Sequence, residues 1–380
     1  MRKHAVIASL VSVLMLLSTQ LTADENKEEK EKKKSERRYR VLPIPIVISE
    51  PAIGQGLGVA LALFHPVKQG KQDKQDDVSV ASLDTIEGYS TPRQAPPVVT
   101  GIAGAYTSNE TWFAGVGHTN NWRNDSIRYS GLFATARVNS KIYLANLPVN
   151  FSMETSAVYQ DMKFRLKDSD FMIGTAISYM NADNRFGVGL PEDPDRGRFA
   201  VDFKNIGVAV KAVYETRDNT MNPRSGQILE LGLWRYDEAI GGDYDYWNAK
   251  LKALSFHSLT EKTTLGLRLE VSGVDGRVPF FAVPWVSLRG VPALRYQNKF
   301  AGAAEIELRY RIRPKWEASV FGGLGYTSDS YAVYENPSSI YNFGFGGRYN
   351  VFAEQNVWVG MDIARGPDDW NWYIQVGHPW

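Results

Sequence analysis

The sequence predicts an all-β fold, a transmembrane antiparallel β-barrel of about 16 strands that follows a cleaved signal peptide. Three observations lead to this prediction. The chain begins with the pattern of an export signal, continues as a long series of segments in which apolar and polar residues alternate, and ends on alternating aromatic and apolar positions. Together they indicate an exported protein whose strands present one face to lipid.

The first element is a signal peptide over residues 1–23. A short basic head, Met1 to His4, precedes an almost unbroken apolar run from Ala5 to Leu17, and a small polar stretch then ends at Ala23. This is the three-part pattern of a secretory signal, and it is too short and wrongly flanked for a spanning helix. The chain has no cysteine, so neither a lipid anchor on cysteine nor a disulfide framework is available.

The second element is a charged segment over residues 24–40, which reads DENKEEKEKKKSERRYR. It has no apolar face, so we expect a disordered periplasmic tail. The barrel is predicted to occupy residues 41–380.

Composition excludes several classes of protein. The formal net charge is only +1, from 43 basic and 42 acidic residues, so no global basic field exists that would bind nucleic acid. Mean hydropathy is −0.30, and no window after the leader is long and apolar enough for a spanning helix. Membrane β-strands escape that test because they alternate.

Sixteen candidate strands follow the tail, and most of them alternate with a period of two. Short polar turns and longer loops also alternate between the later strands, as in outer-membrane barrels. Two connections fit this pattern badly, the long polar stretch 67–96 and the short loop 366–369. The candidate strands are 41–49, 54–66, 97–107, 110–121, 126–143, 149–166, 171–186, 203–217, 226–238, 244–257, 263–275, 300–312, 316–327, 340–351, 356–365 and 370–380.

The clearest alternation lies in the strand at 300–312. Ile306, Leu308, Tyr310 and Ile312 share one face, while Glu305, Glu307, Arg309 and Arg311 share the other. Successive side chains of a strand point to opposite faces, so one face is apolar and the other charged. In a membrane barrel the apolar face meets lipid and the charges line a wet interior.

The last candidate strand has the form of a C-terminal barrel signal. Trp372, Ile374, Val376 and Trp380 share one parity, and the sequence given stops on Trp380. An ordinary soluble sheet seldom ends on such a series, so this ending favours the barrel.

Several motifs together resemble the bacterial surface antigen family, the barrel domain of BamA-type assembly factors and two-partner secretion transporters. The Leu288-Arg289-Gly290 sequence is similar to the family's motif in the sixth outer loop, and strand counting also places it there. The other similar segments are Ser49-Glu50-Pro51 with Gly54, Gly56 and Gly58; Glu215 to Asn219 with Asn222, Pro223 and Gly226; Ala304 to Tyr310; and Gly344, Gly346, Arg348 and Asp362.

The resemblance implies that loop six folds back into the barrel with Arg289 pointing inward. A guanidinium in the lumen needs a carboxylate partner, and we expect Glu307 first, with Glu305 or Asp362 as substitutes. Two departures bear on this expectation. Val291 stands where the family has an aromatic residue, and Gly323 stands where it carries an aspartate that helps to hold the arginine. The family's soluble N-terminal modules are not recognisable in the sequence, which puts protein transport in doubt.

Catalytic chemistry is not predicted. The five histidines show no ligand or dyad spacing, and no Ser-His-Asp arrangement can be argued. We therefore expect no enzyme, no cofactor and no metal site.

The first candidate strand suggests where the barrel closes. Pro43 and Pro45 each lack an N–H, and proline is confined to strand edges or bulges. One hypothesis is that the seam between 41–49 and 370–380 is a weak closure that opens laterally. The alternative is that 41–49 is a periplasmic lead-in and not a strand.

Three functions remain open at this point. The first is outer-membrane assembly or translocation of protein or lipid, the second a narrow passive pore lined by Arg268, Glu270, Arg309 and Arg311, and the third a structural surface protein. The expected location is the bacterial outer membrane with both termini in the periplasm. Expected partners are outer-membrane lipid and lipopolysaccharide, the barrel-assembly machinery for insertion and a separate periplasmic partner, with no nucleic acid.

Overall fold

The structure is a computed structural model that describes residues 39–48, 55–66, 95–144, 147–187, 198–328, 340–353 and 356–380. The predicted signal peptide, the charged segment up to residue 38, most of the 67–96 stretch and the motif residues Ser49 to Gly54 lie outside these ranges. Among the described residues, no helix is long and apolar enough to cross a membrane.

Sixteen antiparallel strands form one sheet, each paired with its neighbours in sequence, and the sheet curls into a nearly closed barrel. The predicted fold class and strand number are confirmed. The strands are β1 Arg40–Ile48, β2 Gly56–Phe64, β3 Val99–Thr107, β4 Trp112–Trp122, β5 Ile127–Leu144, β6 Leu147–Arg165, β7 Phe171–Gly187, β8 Arg198–Glu215, β9 Gly226–Tyr236, β10 Tyr246–Ser258, β11 Thr263–Gly276, β12 Phe300–Arg313, β13 Trp316–Thr327, β14 Ile340–Phe352, β15 Val357–Arg365 and β16 Trp370–Val376.

The first strand resolves one of the open alternatives. Residues 40–48 pair with β2 over their whole length, so this segment is a strand and not a lead-in. It begins at Arg40, the last residue of the predicted tail. Two short 3-10 turns, Glu238–Ile240 and Phe280–Ala282, lie in the connections after β9 and β11.

The strand connections fall at two ends of the barrel. At the turn end, the connections after β10, β12 and β14 are short, whereas at the loop end those after β7, β9, β11 and β13 are longer. The segment 277–299, which we call loop six, is the sixth connection at the loop end and joins β11 to β12.

Burial shows which face of the sheet points inward. On β12, Ile306 and Leu308 are 50% and 40% exposed, whereas Glu305 and Glu307 are 3% and 0% exposed. The same contrast holds on β15, where Met361 is 47% exposed and Asp362 is fully buried. The barrel therefore has an apolar outer surface and a polar interior, as a lipid environment requires.

The two edges of the sheet meet without a shared ladder. Among the described residues, β1 pairs only with β2 and β16 only with β15. Apolar side chains close the gap instead, because Leu42 and Phe64 form one buried cluster with Val357. We call this contact between β1–β2 and β15–β16 the seam.

The strand registers show that the sheet edges overlap at the seam. Leu42 and Phe64 share the inner face of β1 and β2, opposite to the exposed Leu57 and Val59. Val357 has the parity of the outward-facing Met361 on β15, yet it is fully buried. Inner-face residues of the first two strands thus cover an outer-face residue of β15.

Candidate functional site: the buried arginine of loop six

Loop six lies inside the barrel and is fastened to the inner wall by apolar side chains. Its residues Val286, Leu288, Val291 and Tyr296 are buried in one cluster with wall residues Ala303 and Ile340. The two arms of the loop also pair with each other, since the Val286 N–H donates to the Tyr296 carbonyl at 3.0 Å. This packing carries the tip of the loop, Arg289-Gly290, into the lumen.

Arg289 reaches all three of the carboxylates that the sequence offered as alternatives. Its Nε lies 3.0 Å from Glu305 Oε1, and its Nη1 lies 2.8 Å from Glu307 Oε2 and 2.7 Å from Asp362 Oδ2. The three carboxylate side chains are fully buried, and that of Arg289 is only 8% exposed. The sequence analysis expected Glu307 as the main partner, with the other two as substitutes. In the structure all three carboxylates pair with Arg289 at the same time.

Aromatic rings complete the surroundings of the guanidinium. The Cζ atom of Arg289 lies 3.4 Å from the centre of the Phe321 ring and 5.6 Å from that of Trp380. A desolvated guanidinium over an aromatic face gains a cation–π contribution of about 2 kcal/mol. Neither ring was identified as a site residue for this role from the sequence.

Gly290 allows the loop to dock closely. Its φ of +84° lies in the left-handed region, and a Cβ atom there would stand 2.9 Å from backbone atoms of Arg365 and Gly366. Its N–H donates to the Tyr373 hydroxyl at 2.9 Å, and its carbonyl accepts from Asn371 at 3.2 Å. Glycine is required because both the conformation and the space exclude a side chain.

Further charges join Arg289 to form what we call the ion-pair cluster. Arg268 Nη1 lies 3.2 Å from Glu305, and Arg348 Nη2 lies 3.0 Å from both oxygens of Glu307. Buried charges are costly unless paired and hydrogen-bonded, so the members depend on one another. The cluster comprises Arg268, Arg289, Arg309, Arg348, Glu305, Glu307 and Asp362.

The position of the family aspartate is filled in a different way. A Cβ atom on Gly323 would lie 2.5 Å from the Ala304 carbonyl oxygen and 2.8 Å from Asn342 Oδ1. Asn342 uses its amide to donate to Glu305 at 2.7 Å. Glu305 and its amide partner therefore occupy the region beside Gly323.

The end of the chain departs from the prediction. Strand β16 stops at Val376, so Trp380 does not continue the strand face formed by Trp372, Ile374 and Val376. Gly377 has a φ of +80°, which turns residues 377–380, here called the C-terminal tail, into the lumen. Its N–H donates to the Trp358 carbonyl at 2.7 Å. The predicted strand 370–380 is therefore too long, because the glycine ends its alternation.

The C-terminal tail joins the ion-pair cluster. Trp380 Nε1 donates to Glu305 Oε2 at 2.7 Å, and its ring packs against a buried apolar cluster that includes Phe256. His378 Nε2 lies 3.3 Å from Glu307 Oε1. Burial lowers the pKa of the His378 imidazole well below its usual range, with Arg309 and Arg348 acting in the same direction against the pull of Glu307.

A turn-end segment also enters the interior. The motif residue Asn222 is only 2% exposed, accepts a hydrogen bond from Arg309 and donates to Glu317 Oε2 at 3.1 Å. The Pro223 carbonyl accepts from Arg309 as well. Loop six, the C-terminal tail and this turn therefore converge on β12 from different directions.

Comparison with protein families identifies the chain. The Omp85 superfamily domain matches residues 88–281, just over half of the chain. The chain belongs to the Omp85 superfamily. This confirms the resemblance to BamA-type barrels, and the fold places the Omp85 protein in the bacterial outer membrane. The match ends before Arg289, so assigning the loop-six motif rests on the residues themselves. A comparison with curated protein sequences finds no match.

Solved structures share the fold of this Omp85 barrel at low identity. BamA from Haemophilus ducreyi lacking POTRA domains 1-3 aligns with a TM-score of 0.54 and 10% identity, over 89% of this chain and 70% of that one. CdiB from Acinetobacter baumannii aligns with a TM-score of 0.53 and 8% identity, over 89% of this chain and 59% of that one. CdiB from Escherichia coli aligns with a TM-score of 0.54 and 11% identity, over 88% of this chain and 62% of that one.

Proposed function

We propose that this Omp85 barrel serves outer-membrane assembly or translocation, and that a client strand or lipid engages it at the seam. In this proposal both termini and the turn end face the periplasm. Loop six and its ion-pair cluster hold β15 to β12 from inside the barrel while β1 and β2 move away at the seam. The partners would be outer-membrane lipid and lipopolysaccharide, the assembly machinery that inserts the barrel, and a separate periplasmic protein that delivers the client.

The observation that carries the proposal is the missing ladder between β1 and β16. Every other neighbouring pair in the sheet is joined by backbone hydrogen bonds, whereas among the described residues the seam is held by side chains such as Leu42 and Val357. Unpaired strand edges are templates for another strand. They are also unfavourable in lipid, so an incoming strand that supplies the missing partners is stabilised there.

The prolines of β1 support the same site. Pro43 and Pro45 share one parity, so the donors that they lack belong to the same edge of the strand. Proline in a sheet is confined to edge strands, with its nitrogen toward the free side. This leaves β1 two donors short on the side toward β16. A complete hydrogen-bonded ladder between β1 and β16 is therefore disfavoured.

Crosslinking across the seam tests the proposal. Leu42→Cys with Val357→Cys gives the only two thiols in a chain that has no cysteine. Proteoliposomes with the oxidised variant should fail to fold a labelled, denatured β-barrel client, and reduction should restore folding. The matched control joins β8 to β9 through Val210→Cys and Leu233→Cys, two residues that are register partners. That control should stay active when oxidised.

Two outcomes would overturn the proposal. Full client folding by the barrel with its seam crosslinked would show that the seam is not the point of engagement. Steady single-channel conductance without any client folding would instead favour the narrow pore, with Arg268, Glu270, Arg309 and Arg311 as the lumen charges. Conductance that survives seam crosslinking would strengthen that alternative.

A further inference from the structure

A cavity of about 440 Å³ lies in the lumen between loop six and the inner face of β8 to β12. Pro284, Trp285 and Ser287 of loop six cover it, and Ala303 of β12 lines its wall. It lies closer to the loop end than the ion-pair cluster does. We propose that this cavity binds a small anionic molecule that also carries hydroxyl groups, of the class of sugar acids and sugar phosphates.

The charge of the lining favours an anion. Three ammonium groups line the cavity, and two of them have carboxylate partners. Lys211 Nζ lies 2.5 Å from Asp161 and 3.1 Å from Glu230, and Lys252 Nζ lies 3.6 Å from Glu270. Among the described residues, Lys250 forms no ion pair although it is exposed to the lumen. Glu270 is paired with Arg268 at 2.7 Å and with Lys252, and it forms no direct ion pair with Lys250.

Two buried polar atoms beside Lys250 have no partner within the described part of the chain. They are Ser272 Oγ and Asn248 Oδ1, and both residues line the cavity. Ser272 is the register partner of Lys250 on β11, and Asn248 lies two residues before Lys250 on the same inward face. Asn248 is only 6% exposed. A buried acceptor without a donor is unfavourable, so this site is matched to a hydroxyl.

The three groups define the chemistry of the ligand. The Lys250 ammonium and the Ser272 hydroxyl donate to a carboxylate or phosphate of the ligand. Asn248 lies two residues along the same strand face, so its Oδ1 accepts from a hydroxyl on another part of the same ligand. Trp285, which is 40% exposed, offers an indole face for the apolar side of a sugar ring. The volume lies within the range of small-molecule sites, about 300–1,000 Å³. Inorganic phosphate would use only part of this set.

Calorimetric titration of the detergent-purified full chain tests the proposal. The probes are glucuronate, glucose 1-phosphate, glucose and inorganic phosphate. Glucuronate and glucose 1-phosphate should bind saturably and at least about tenfold more tightly than glucose or phosphate. Glucose loses the hydrogen bond to the Lys250 ammonium, and phosphate leaves the buried Asn248 acceptor without a donor. Lys250→Gln should weaken glucuronate binding by about tenfold or more for the same reason.

Matched variants distinguish the site from general lumen charge. Lys262→Gln removes a lysine of the β10–β11 turn and should leave binding unchanged. Gly232→Val places a side chain in the cavity, and the Cβ atom at this position meets the nearest atoms only at 3.7 Å or more. Gly232→Val should abolish binding of glucuronate while the heat-dependent gel mobility of the folded barrel is retained. Asn248→Val should reduce glucuronate binding without affecting phosphate.

The proposal is wrong if glucuronate and glucose 1-phosphate show no saturable binding to the folded wild-type chain. It is also wrong if Lys250→Gln and Gly232→Val bind glucuronate as the wild type does. Phosphate binding as tight as that of glucose 1-phosphate would refute the sugar class, because Asn248 and Trp285 would then contribute nothing.

Discussion

Two contacts in this barrel join parts that are distant in sequence, and they do so by different means. At the ion-pair cluster, loop six is fastened by directed contacts such as Arg289 to Asp362 at 2.7 Å. At the seam, β1 and β2 touch β15 through apolar side chains with no shared ladder between β1 and β16 in the described residues. Directed ionic contacts fix one geometry, whereas apolar contacts can separate and reform with few geometric demands.

The comparison suggests a division of roles within one barrel. Breaking a buried ion pair leaves an uncompensated charge, so the cluster opens only at high cost. Opening the seam exposes the apolar cluster of Leu42, Phe64 and Val357, which a client strand would cover in the proposed function. The predictions that follow separate the two regions by the size and kind of effect.

The largest effect is expected at Arg289. Arg289→Ala leaves Glu305, Glu307 and Asp362 with fewer partners in a buried site, which should cost about 3–5 kcal/mol of stability. Urea unfolding, followed by gel mobility, measures the loss. Arg295→Ala is the control, because its pair with Asp368 is 42% and 38% exposed and should contribute at most about 1 kcal/mol. Equal losses for both variants would contradict a special role for the cluster.

A somewhat smaller effect is expected at Gly290. Gly290→Ala forces a left-handed backbone on alanine and places a Cβ against the backbone near Gly366, which should cost about 2–3 kcal/mol. Unfolding in urea is again the measurement. Gly347→Ala serves as the comparison, since a Cβ at that position meets nothing within 4 Å. A neutral Gly290→Ala would mean that loop six does not dock as closely as described.

The seam should respond locally and not globally. Leu42→Ala removes part of the cover over Val357. Truncating a buried leucine to alanine lowers stability by at least about 2 kcal/mol. The reaction of a Val357→Cys thiol with maleimide should then accelerate about thirtyfold. The control combines Leu42→Ala with Met361→Cys. Because Met361 is already 47% exposed, labelling of this cysteine should change little. Unchanged labelling at position 357 would show that Leu42 does not close the seam.

The smallest effect is the pH dependence of the C-terminal tail. The pKa of His378 is depressed by burial, so the docked tail stays neutral while a free tail takes up a proton below its ordinary pKa of about 6.5. Docking is therefore favoured at neutral pH and weakens as pH falls, by about 1 kcal/mol between pH 7 and 5.5. The difference in fluorescence between wild type and Trp380→Phe reports docking. His378→Asn should remove this pH dependence, and a persistent dependence would assign it to another group.

Much of this architecture is encoded by local pattern. The period of two predicted the strands because each has one lipid face and one wet face, and Glu305 and Glu307 could be placed inward by parity alone. Counting strands also placed Arg289 in loop six. These features depend only on neighbours in sequence, which is why single-sequence reasoning reaches them.

The remaining features depend on how distant strands are staggered. Parity shows that Asp362 faces inward, but only the register across β12 to β15 brings it to Arg289 together with Glu305 and Glu307. The sequence does not reveal the inward turn at Gly377, because residues of strand-like parity continue past Val376 to Trp380. The overlap at the seam has no local signal beyond the two prolines of β1.

Gly323 limits which side chains this part of the inner wall can accept. An aspartate at this position would require space that the Ala304 carbonyl and Asn342 occupy, at 2.5 and 2.8 Å from the Cβ atom of any side chain. The aspartate that the family resemblance implies would here meet Glu305 and Asn342, which are already hydrogen-bonded to each other. An aspartate at position 323 therefore requires accompanying changes in its neighbours on β12 and β14.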